Sequence, residues 1–450
     1  MGQSTEPLAS LRACTDWVVS GCKPRSAFRI GTEYERFAID AGGTMLPYDG
    51  AVSIHTLFER LQARGWRPYL EAGRPIALFR DGASISLEPA GQFELSGAPQ
   101  PSITAMRDEM VAHLAEMKAV AHDLGVALVH AGLHPYETVD GVPKMPKGRY
   151  GVMRQWMPTV GTLGLDMMHL TCTVQANLDF ETPEEAIELV RLGFLLGPVL
   201  IALFANSSRR HGSETGYATF RAHLWTDVDR ARCDASRFAY DPAATVQDYV
   251  DWALDVPVYF LDVPNPDGSH GYRAMDGKTT FRDFFTHGVD GRRPTLADWE
   301  LHASTLFPDI RLKRYVEVRQ ADCVPPEALP ALPALCKGLF YDVTARRDAL
   351  ALLRDGDHSL DRAALRELAC RSALDGQLGD VDLRQWAGAA LALARQGLAR
   401  LEAEMGPDPA AALALDVLDA IVAGERLPFW RATNLALDGR PSLASLPGGW

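Results

Sequence analysis

Four segments of this 450-residue chain alternate apolar and polar side chains with the period of two that a β-strand imposes. Residues two apart in a strand point to the same face of a sheet, so each segment separates into an apolar face and a polar face. The pattern predicts strands of an antiparallel sheet with one apolar face and one open, polar face. The segments are Phe28–Phe37, Ser84–Ser96, Thr171–Asp179 and Tyr315–Arg319.

The polar faces of these segments are rich in carboxylates. The third segment has the cleanest alternation, and Pro89 with Gly91 predicts a bulge in the second, which weakens the assignment of faces there. Crowded carboxylates repel one another, and a bound divalent cation relieves that repulsion. Oxygen ligands of this kind suit Mg²⁺ or Mn²⁺ rather than zinc. The polar positions are Glu33, Glu35, Glu88, Gln92, Glu94, Thr171, Thr173, Gln175, Asn177, Asp179, Tyr315, Glu317 and Arg319.

Each strand taken alone is equally well explained by a solvated sheet face. A solvated face normally mixes lysine, arginine and threonine with acids, whereas these faces carry five glutamates and few lysines. The four strands together therefore favour a metal-binding face.

Helical periodicity dominates the chain from about Pro325 onward, so the chemistry is expected in the first 320 residues. A domain boundary near Pro325 is one option, but the later helices could equally cover the same sheet. We favour a single unit, 1–450, in which 325–450 is a mainly helical C-terminal part. The predicted helices are Ser102–Leu124, Pro183–Ala205, Thr245–Ala253, Leu296–Leu306, Leu360–Leu374, Leu383–Glu404 and Ala410–Ala423.

The net charge of −13 argues against nucleic acid and anionic membrane surfaces as partners, because both bind through clustered lysines and arginines. The N-terminus has no basic region followed by a long apolar run. The most apolar stretch, Leu192–Ala205, is too short to span a bilayer and predicts a buried helix. The sequence thus predicts no membrane association.

The cysteines indicate a reducing compartment. There are seven of them, scattered and never in a CxxC pair, so neither a zinc site nor a disulfide framework is predicted. His130 and His134 have helical i, i+4 spacing, but Pro135 and the strand-like run before them predict a loop rather than a zinc-binding helix. A cytoplasmic location is expected.

Longer motifs of the chain resemble the plant and proteobacterial type of glutamate–cysteine ligase. They occur in the family's order, and the resemblance extends from about Phe28 to the C-terminal helices. The motifs are Gly31–Glu35, Met145–Tyr150, Met157–Met168, Thr171–Phe180 and Tyr315–Arg319.

The resemblance implies an α+β fold like the catalytic domains of glutamine synthetase and the guanidino kinases. In that fold a mainly antiparallel sheet curves into an open funnel with helices on its outer face. The implied reaction is ATP-dependent joining of the γ-carboxylate of L-glutamate to L-cysteine through γ-glutamyl phosphate, giving γ-glutamylcysteine, ADP and phosphate in the first step of glutathione biosynthesis. The implied partners are glutamate, cysteine and ATP with Mg²⁺ or Mn²⁺, bound by a monomer or homodimer.

The resemblance also implies roles for individual side chains. The metal-binding carboxylates are expected to be Glu33, Glu35, Glu88, Glu94 and Glu317. Gln175, Asn177 and Arg319 are expected on the nucleotide, with Gln175 as a further metal ligand and Arg319 facing the transferred phosphoryl group. Arg149, Arg221 and Thr173 are expected to bind substrate, because a guanidinium matches a carboxylate with two parallel hydrogen bonds.

Three alternatives stay open at this stage. A related ligase could activate glutamate for an amine other than cysteine, since the sequence marks the acceptor pocket least well. A guanidino-type phosphotransferase would phosphorylate its substrate and stop. A non-enzymatic metal- or nucleotide-binding protein is the third, although the five carboxylates and Arg319 argue against a decayed site. For Arg149 a structural ion pair is an equally good explanation, and for Arg221, whose surrounding motif is shorter, it is the better one.

Overall fold

The computed structural model describes residues 6–264, 270–439 and 446 of the chain. Its strands are β1 Ile30–Ile39, β2 Arg67–Glu71, β3 Arg74–Arg80, β4 Ala83–Leu87, β5 Phe93–Ser96, β6 Ala127–Val129, β7 Val174–Leu178, β8 Arg209–Arg210, β9 Ser213–Glu214, β10 Phe260–Pro264, β11 His270–Ala274, β12 Ile310–Leu312, β13 Val316–Val318, β14 Gln377–Leu378 and β15 Val381–Asp382.

Its α-helices are α1 Arg12–Val19, α2 Ile54–Gln62, α3 Ile103–Leu124, α4 Gly148–Trp156, α5 Gly164–Leu170, α6 Pro183–Leu203, α7 Phe220–Leu224, α8 Arg230–Cys233, α9 Ser236–Ala239, α10 Val246–Leu254, α11 Phe281–His287, α12 Leu296–Ser304, α13 Ala331–Cys336, α14 Val343–Leu352, α15 Arg362–Ser372, α16 Leu383–Met405, α17 Pro409–Leu413, α18 Asp416–Ala423 and α19 Phe429–Gly439. A π-helical turn, Lys337–Tyr341, continues α13.

A nine-stranded sheet forms the centre of the fold. Its order is β12-β13-β7-β1-β5-β4-β3-β2, and β6 pairs with the far end of β1. The pairs are antiparallel. The apolar face of β1 and β7 is buried, and α3, α6 and α13 pack against strands of the sheet. The mixed helix and antiparallel-sheet architecture predicted from the sequence is therefore confirmed.

Side-chain caps fix where the long helices begin. The Ser102 hydroxyl accepts a hydrogen bond from the Ala105 N–H at the start of α3, and Thr182 accepts one from Glu185 at the start of α6. Such caps satisfy N–H groups that have no partner within the helix. Six of the seven predicted helices agree with observed ones to within about two residues: α3, α6, α10, α12, α15 and α16.

The structure corrects two predicted elements. Ser84–Ser96 is not one bulged strand, because β4 and β5 form a hairpin around a turn in which Gly91 has φ +86°. Ala410–Ala423 is not one helix but the pair α17 and α18. The Arg395 side chain donates to the Ala412 carbonyl and to Asp416, so it binds both sides of the break.

Helix α6 is longer than the apolar stretch noted in the sequence. By length and composition it could cross a membrane, but 94% of its most apolar window is buried inside the protein. The prediction of a buried helix is confirmed. The seven cysteines, all within the described residues, are free.

Two glycines allow α16 to approach the π-helical turn. A Cβ on Gly397 would lie 2.1 Å from the carbonyl oxygen of Gly338, and a Cβ on Gly338 would lie 2.3 Å from that of Ala394. Contacts this short require backbone movement, because a carbonyl oxygen cannot rotate away like a side chain. The packing of the C-terminal helices therefore depends on small residues at this crossing.

Gly397→Ala is expected to lower the free energy of unfolding by about 1–3 kcal/mol, as overpacking of a tight interior does. The matched control is Gly388→Ala in the same helix, where the nearest atom to the new Cβ is Val422 Cγ1 at 3.4 Å. The control should be neutral or stabilising, because alanine favours helix over glycine. Chemical denaturation of both variants measures the difference, and equal stabilities would contradict the close crossing.

Candidate functional site

Strand register brings the predicted carboxylates together on one face of the sheet. Glu35 lies opposite Glu94 across β1 and β5, and Glu33 lies opposite Gln175 across β1 and β7. Glu317 on β13 lies opposite Asn177 on β7. Directly opposed residues of antiparallel strands project to the same side. The face that the alternation predicted is thus assembled from four neighbouring strands.

Burial and mutual repulsion disfavour the charged forms of three of these carboxylates. Burial, followed by the charges of Glu94 and Glu317, raises the pKa of Glu33 to about 7. Burial, with Glu88 and Glu94 nearby, raises the pKa of Glu35 well above its usual range. Burial and Glu88 also raise the pKa of Glu94. A cation at this face would relieve each of these penalties.

The chemistry of the donor set fits a hard divalent cation. The amide nitrogen of Asn177 donates to Glu33 Oε1 at 2.7 Å, whereas its buried Oδ1 has no hydrogen-bond partner. That oxygen and the carboxylates offer only oxygen ligands, as Mg²⁺ prefers. Within the described ranges, however, no group of three or more His, Cys, Asp or Glu side chains could hold a metal ion as arranged. Binding therefore requires side-chain adjustment.

Glu317 differs from the other predicted ligands because cations surround it. It forms ion pairs with Arg311, with Lys313 at 2.6 Å and with Arg319 at 3.5 Å. Although burial opposes its charge, these three cations hold the pKa of Glu317 well below its usual range. This carboxylate is the counterion of a buried cationic cluster in the structure.

A cavity of about 710 Å³, a volume that includes the open solvent at its mouth, adjoins the carboxylate face and is lined by the three predicted arginines. Arg319 Nη1 donates to Gln175 Oε1 at 2.9 Å, so the Gln175 oxygen is occupied by the arginine. Arg149 lies in the first turn of α4, and its buried Nε has no partner. Its guanidinium therefore has hydrogen-bonding capacity free for a ligand. The predicted site residues that line the cavity are Glu35, Glu88, Arg149, Thr173, Gln175, Arg221 and Arg319.

Arg221 and Thr173 are held mainly by backbone carbonyls. The Arg221 guanidinium donates to the carbonyls of Arg319, Gln320 and Ala321, and lies 3.7 Å from Asp322. The Thr173 hydroxyl donates to Ala321 O at 2.7 Å. Both residues line the cavity, and both also fix the segment that follows Arg319. These hydrogen bonds therefore support a structural role for Arg221, which the sequence had left open.

Several residues of the site were not predicted. Asp322 accepts hydrogen bonds from Asn206, Ser207 and Thr219. These bonds fix the part of the chain that leads to Arg221. Lys147 lies in the motif Met145–Tyr150, yet the sequence gave it no role. Burial, followed by the charge of Arg149, lowers the pKa of Lys147 to about 8. The cavity also has an apolar wall, whose residues could not be distinguished from core residues in the sequence. They are Met153, Met167, Met168, Trp225, Phe260 and Phe307.

Neither His130 nor His134 lies on a helix. Both are buried, and both lie outside regular helices and strands, as the sequence predicted. The His130 ring contacts Cys323 Sγ at 3.7 Å.

Substitution of Glu317 and of Glu94 should have opposite effects on stability. Glu317→Gln leaves buried cations uncompensated and should cost about 3–5 kcal/mol of unfolding free energy. Glu94→Gln removes one of several mutually repelling carboxylates, so the free energy of unfolding should stay the same or rise. Urea denaturation in the absence of divalent cations measures both. A stable Glu317→Gln variant would contradict the counterion role.

Comparison with known proteins identifies relatives over nearly the whole chain. The profile of glutamate–cysteine ligase family 2 matches residues 29–418. Glutamate–cysteine ligase B from Oryza sativa subsp. japonica is 39% identical over 440 residues, covering 96% of this chain and 85% of the relative. The enzyme from Arabidopsis thaliana is 40% identical over 403 residues, covering 88% of this chain and 75% of the relative.

Solved structures confirm the fold. Glutamate–cysteine ligase from Francisella tularensis in complex with AMP superimposes with a TM-score of 0.52 at 14% identity, covering 92% of this chain and 86% of that one. A bifunctional glutathione synthetase from Pasteurella multocida gives a TM-score of 0.51 at 13% identity, over 98% of this chain and 52% of that one.

The same relatives correct the prediction of a cytoplasmic location. The matching enzymes from Oryza sativa, Medicago truncatula and Arabidopsis thaliana are each named as chloroplastic. The free cysteines, from which a reducing cytosol was inferred, do not distinguish the cytosol from other reducing compartments.

Proposed function

We propose how the residues of this chain, which belongs to glutamate–cysteine ligase family 2, carry out the family's reaction. The chain joins the γ-carboxylate of L-glutamate to the amine of L-cysteine in an ATP-dependent reaction through γ-glutamyl phosphate. The products are γ-glutamylcysteine, ADP and phosphate, and the reaction is the first step of glutathione biosynthesis. The observation that supports the residue roles best is that one cavity is lined by three guanidinium groups and adjoins a face of carboxylates.

Glu33, Glu35, Glu88 and Glu94, with the free oxygen of Asn177, hold Mg²⁺ in this proposal, and Mn²⁺ could replace it. When bound, the cation neutralises ATP phosphates that a chain of net charge −13 would otherwise repel. The raised pKa values of Glu33, Glu35 and Glu94 support this assignment. Glu317, the fifth predicted ligand, acts chiefly by fixing Arg311, Lys313 and Arg319.

Arg319 faces the transferred phosphoryl group. The γ-carboxylate of glutamate attacks the γ-phosphorus of ATP, forming a C–O–P bond while the bond to ADP breaks. Charge on the equatorial oxygens is stabilised by the guanidinium, which Glu317 and Gln175 hold in place. Asn177 also contacts the nucleotide in this proposal.

Arg149 binds a carboxylate of substrate glutamate, and its buried Nε without a partner supports this role. Arg221 and Thr173 contribute from the same cavity while positioning the backbone after Arg319. The amine of cysteine then attacks the carbonyl carbon of the acyl phosphate and forms the C–N bond. The C–O bond to phosphate breaks, phosphate leaves with that electron pair, and the nitrogen releases a proton to solvent. The apolar wall beside Met153, Met167 and Phe260 takes the uncharged side chain of the acceptor.

Residues 1–450 work as a single catalytic unit in this proposal. Contacts between distant parts of the chain support it: the Asp408 carboxylate accepts from the backbone of Ile103 and from Lys337, and Thr433 donates to Asn206. The partners are small molecules alone, and the chain acts as a monomer or a homodimer.

Arg149→Ala should raise the apparent KM for glutamate at least tenfold with a smaller effect on kcat, because the contact is made in both ground state and transition state. The matched control is Arg154→Ala on the same helix, since Arg154 does not line the cavity. Steady-state kinetics with varied glutamate measure both. An unchanged KM in Arg149→Ala would assign that residue a structural role.

Glu35→Gln should lower kcat by about 10² or more, as loss of an electrostatic element of a phosphoryl-transfer site does. The thermal stability of the variant without metal should not fall, because Glu35 is repelled by its neighbours. Near-normal turnover would remove Glu35 from the metal site.

The reaction itself is tested by phosphate release with ATP, Mg²⁺ and glutamate, with and without cysteine, alongside mass-spectrometric detection of γ-glutamylcysteine. Cysteine-dependent phosphate with an equal amount of dipeptide is expected. Turnover with 2-aminobutyrate but not cysteine would identify a ligase with another acceptor. ADP formation without phosphate or dipeptide would identify a phosphotransferase.

A further inference from the structure

The turn between β2 and β3 places a buried carboxylate against the start of helix α4. Glu71 is the last residue of β2 and the only buried one in that strand, since the four residues before it are exposed. Ala72 and Gly73 follow with φ +48° and +75°, so the chain reverses in the two-residue turn typical of hairpins. Glutamate is seldom buried without a partner. A specific partner for Glu71 is therefore expected.

That partner is the backbone of α4. Gly148 N donates to Glu71 Oε1 at 2.6 Å. The helix has no cap of its own, because the side chain of Lys147 at its N-cap position accepts no hydrogen bond and its first turn has no acidic residue. The first N–H groups of a helix have no partner within the helix, and they favour a nearby negative charge. Glu71 supplies both the acceptor and the charge from a distant part of the chain.

Glu71 fixes the first turn of α4 without occupying the guanidinium that this turn carries. Arg149 directly follows Gly148 and lines the cavity, and its buried Nε has no partner. Among the contacts of the described residues, Glu71 binds the Gly148 backbone and forms no ion pair with Arg149. On the other side of Gly148, Lys147 Nζ donates to the Leu87 carbonyl at 3.3 Å. The turn is thus held to the sheet at two points while Arg149 stays available to a ligand.

The close approach of Glu71 depends on the glycine at position 148. A Cβ on Gly148 would lie 2.9 Å from Glu71 Oε1 and 3.1 Å from Tyr272 Cδ2. Both distances are shorter than ordinary van der Waals contact, so a larger residue would displace one of these side chains. The Tyr272 ring in turn contacts Phe260 of the cavity wall, with centroids 5.0 Å apart. The β2–β3 turn and β11 therefore meet α4 at Gly148.

We propose that Glu71 is a positioning residue for glutamate binding, which holds Arg149 toward the substrate carboxylate by fixing the start of α4. The inference rests on the role that the proposed function gives to Arg149. Without the Glu71 hydrogen bond the first turn of α4 frays, and only a fraction of the molecules hold Arg149 in the binding position. The apparent affinity for glutamate falls by that fraction. The binding of ATP by the carboxylate face is unaffected.

A double-mutant cycle separates this positioning from a general loss of stability. Glu71→Ala should raise the KM for glutamate about fivefold, as expected for loss of a helix cap, and leave the KM for ATP unchanged. In the Arg149→Ala background the same substitution should change the KM for glutamate by less than about twofold, because the side chain that Glu71 positions is already gone. Glu71→Gln keeps an acceptor oxygen for Gly148 N and should recover most of the affinity.

The matched control is Asp49→Ala, which removes the 2.7 Å ion pair of Arg74, the residue opposite Glu71 in the same turn, and should leave the KM for glutamate unchanged. Gly148→Ala displaces Glu71 Oε1 from the helix side, so it should raise this KM as Glu71→Ala does, and it replaces that variant if the latter does not fold. An unchanged KM for glutamate in Glu71→Ala, or an equal rise in the Arg149→Ala background, would overturn the positioning role. An unchanged KM in Arg149→Ala alone would overturn the substrate role of Arg149 and this inference with it.

Discussion

The repulsion among carboxylates on one face of the central sheet is the constraint on which the site depends. Strand β1 lies between β5 and β7, and the antiparallel register places Glu35 against Glu94 and Glu33 against Gln175. The opposite face of the same strands is covered by helices, so these side chains have no other direction in which to project. Folding the sheet therefore concentrates carboxylates whose charge nearby cations offset only in part, since the pKa values of Glu33, Glu35 and Glu94 stay raised.

Cations are distributed unevenly around this face. Arg311, Lys313 and Arg319 surround Glu317 at one edge, whereas the carboxylates of β1 and β5 form no ion pair with any other described residue. Asp322 and Arg221 then hold the backbone after Arg319 through hydrogen bonds to Asn206, Ser207 and the carbonyls of that segment. The result is a rigid cationic edge beside a carboxylate face, an arrangement suited to receive a phosphoryl group and its metal together.

Local pattern was sufficient to predict most of the sheet face and the long helices. The alternation of β7 directly gave the shared direction of Thr173, Gln175 and Asn177, and helical periodicity placed the starts of α3 and α6 to within one residue. The distinct role of Glu317 was not predictable, because Arg311 reaches it only across the β12–β13 pair. The break between α17 and α18 depends on Arg395 from another helix, and no glycine or proline marks it in the sequence.

The role of the carboxylate face as a metal site is tested most directly by locating a bound metal ion. Crystals of the protein with Mn²⁺ and a non-hydrolysable ATP analogue, measured for anomalous scattering at the manganese edge, should show Mn²⁺ bound by carboxylates from Glu33, Glu35, Glu88 and Glu94 beside the cavity that contains Arg319. Mn²⁺ and nucleotide bound elsewhere, with these carboxylates unchanged, would contradict the assignment of the sheet face as the metal site.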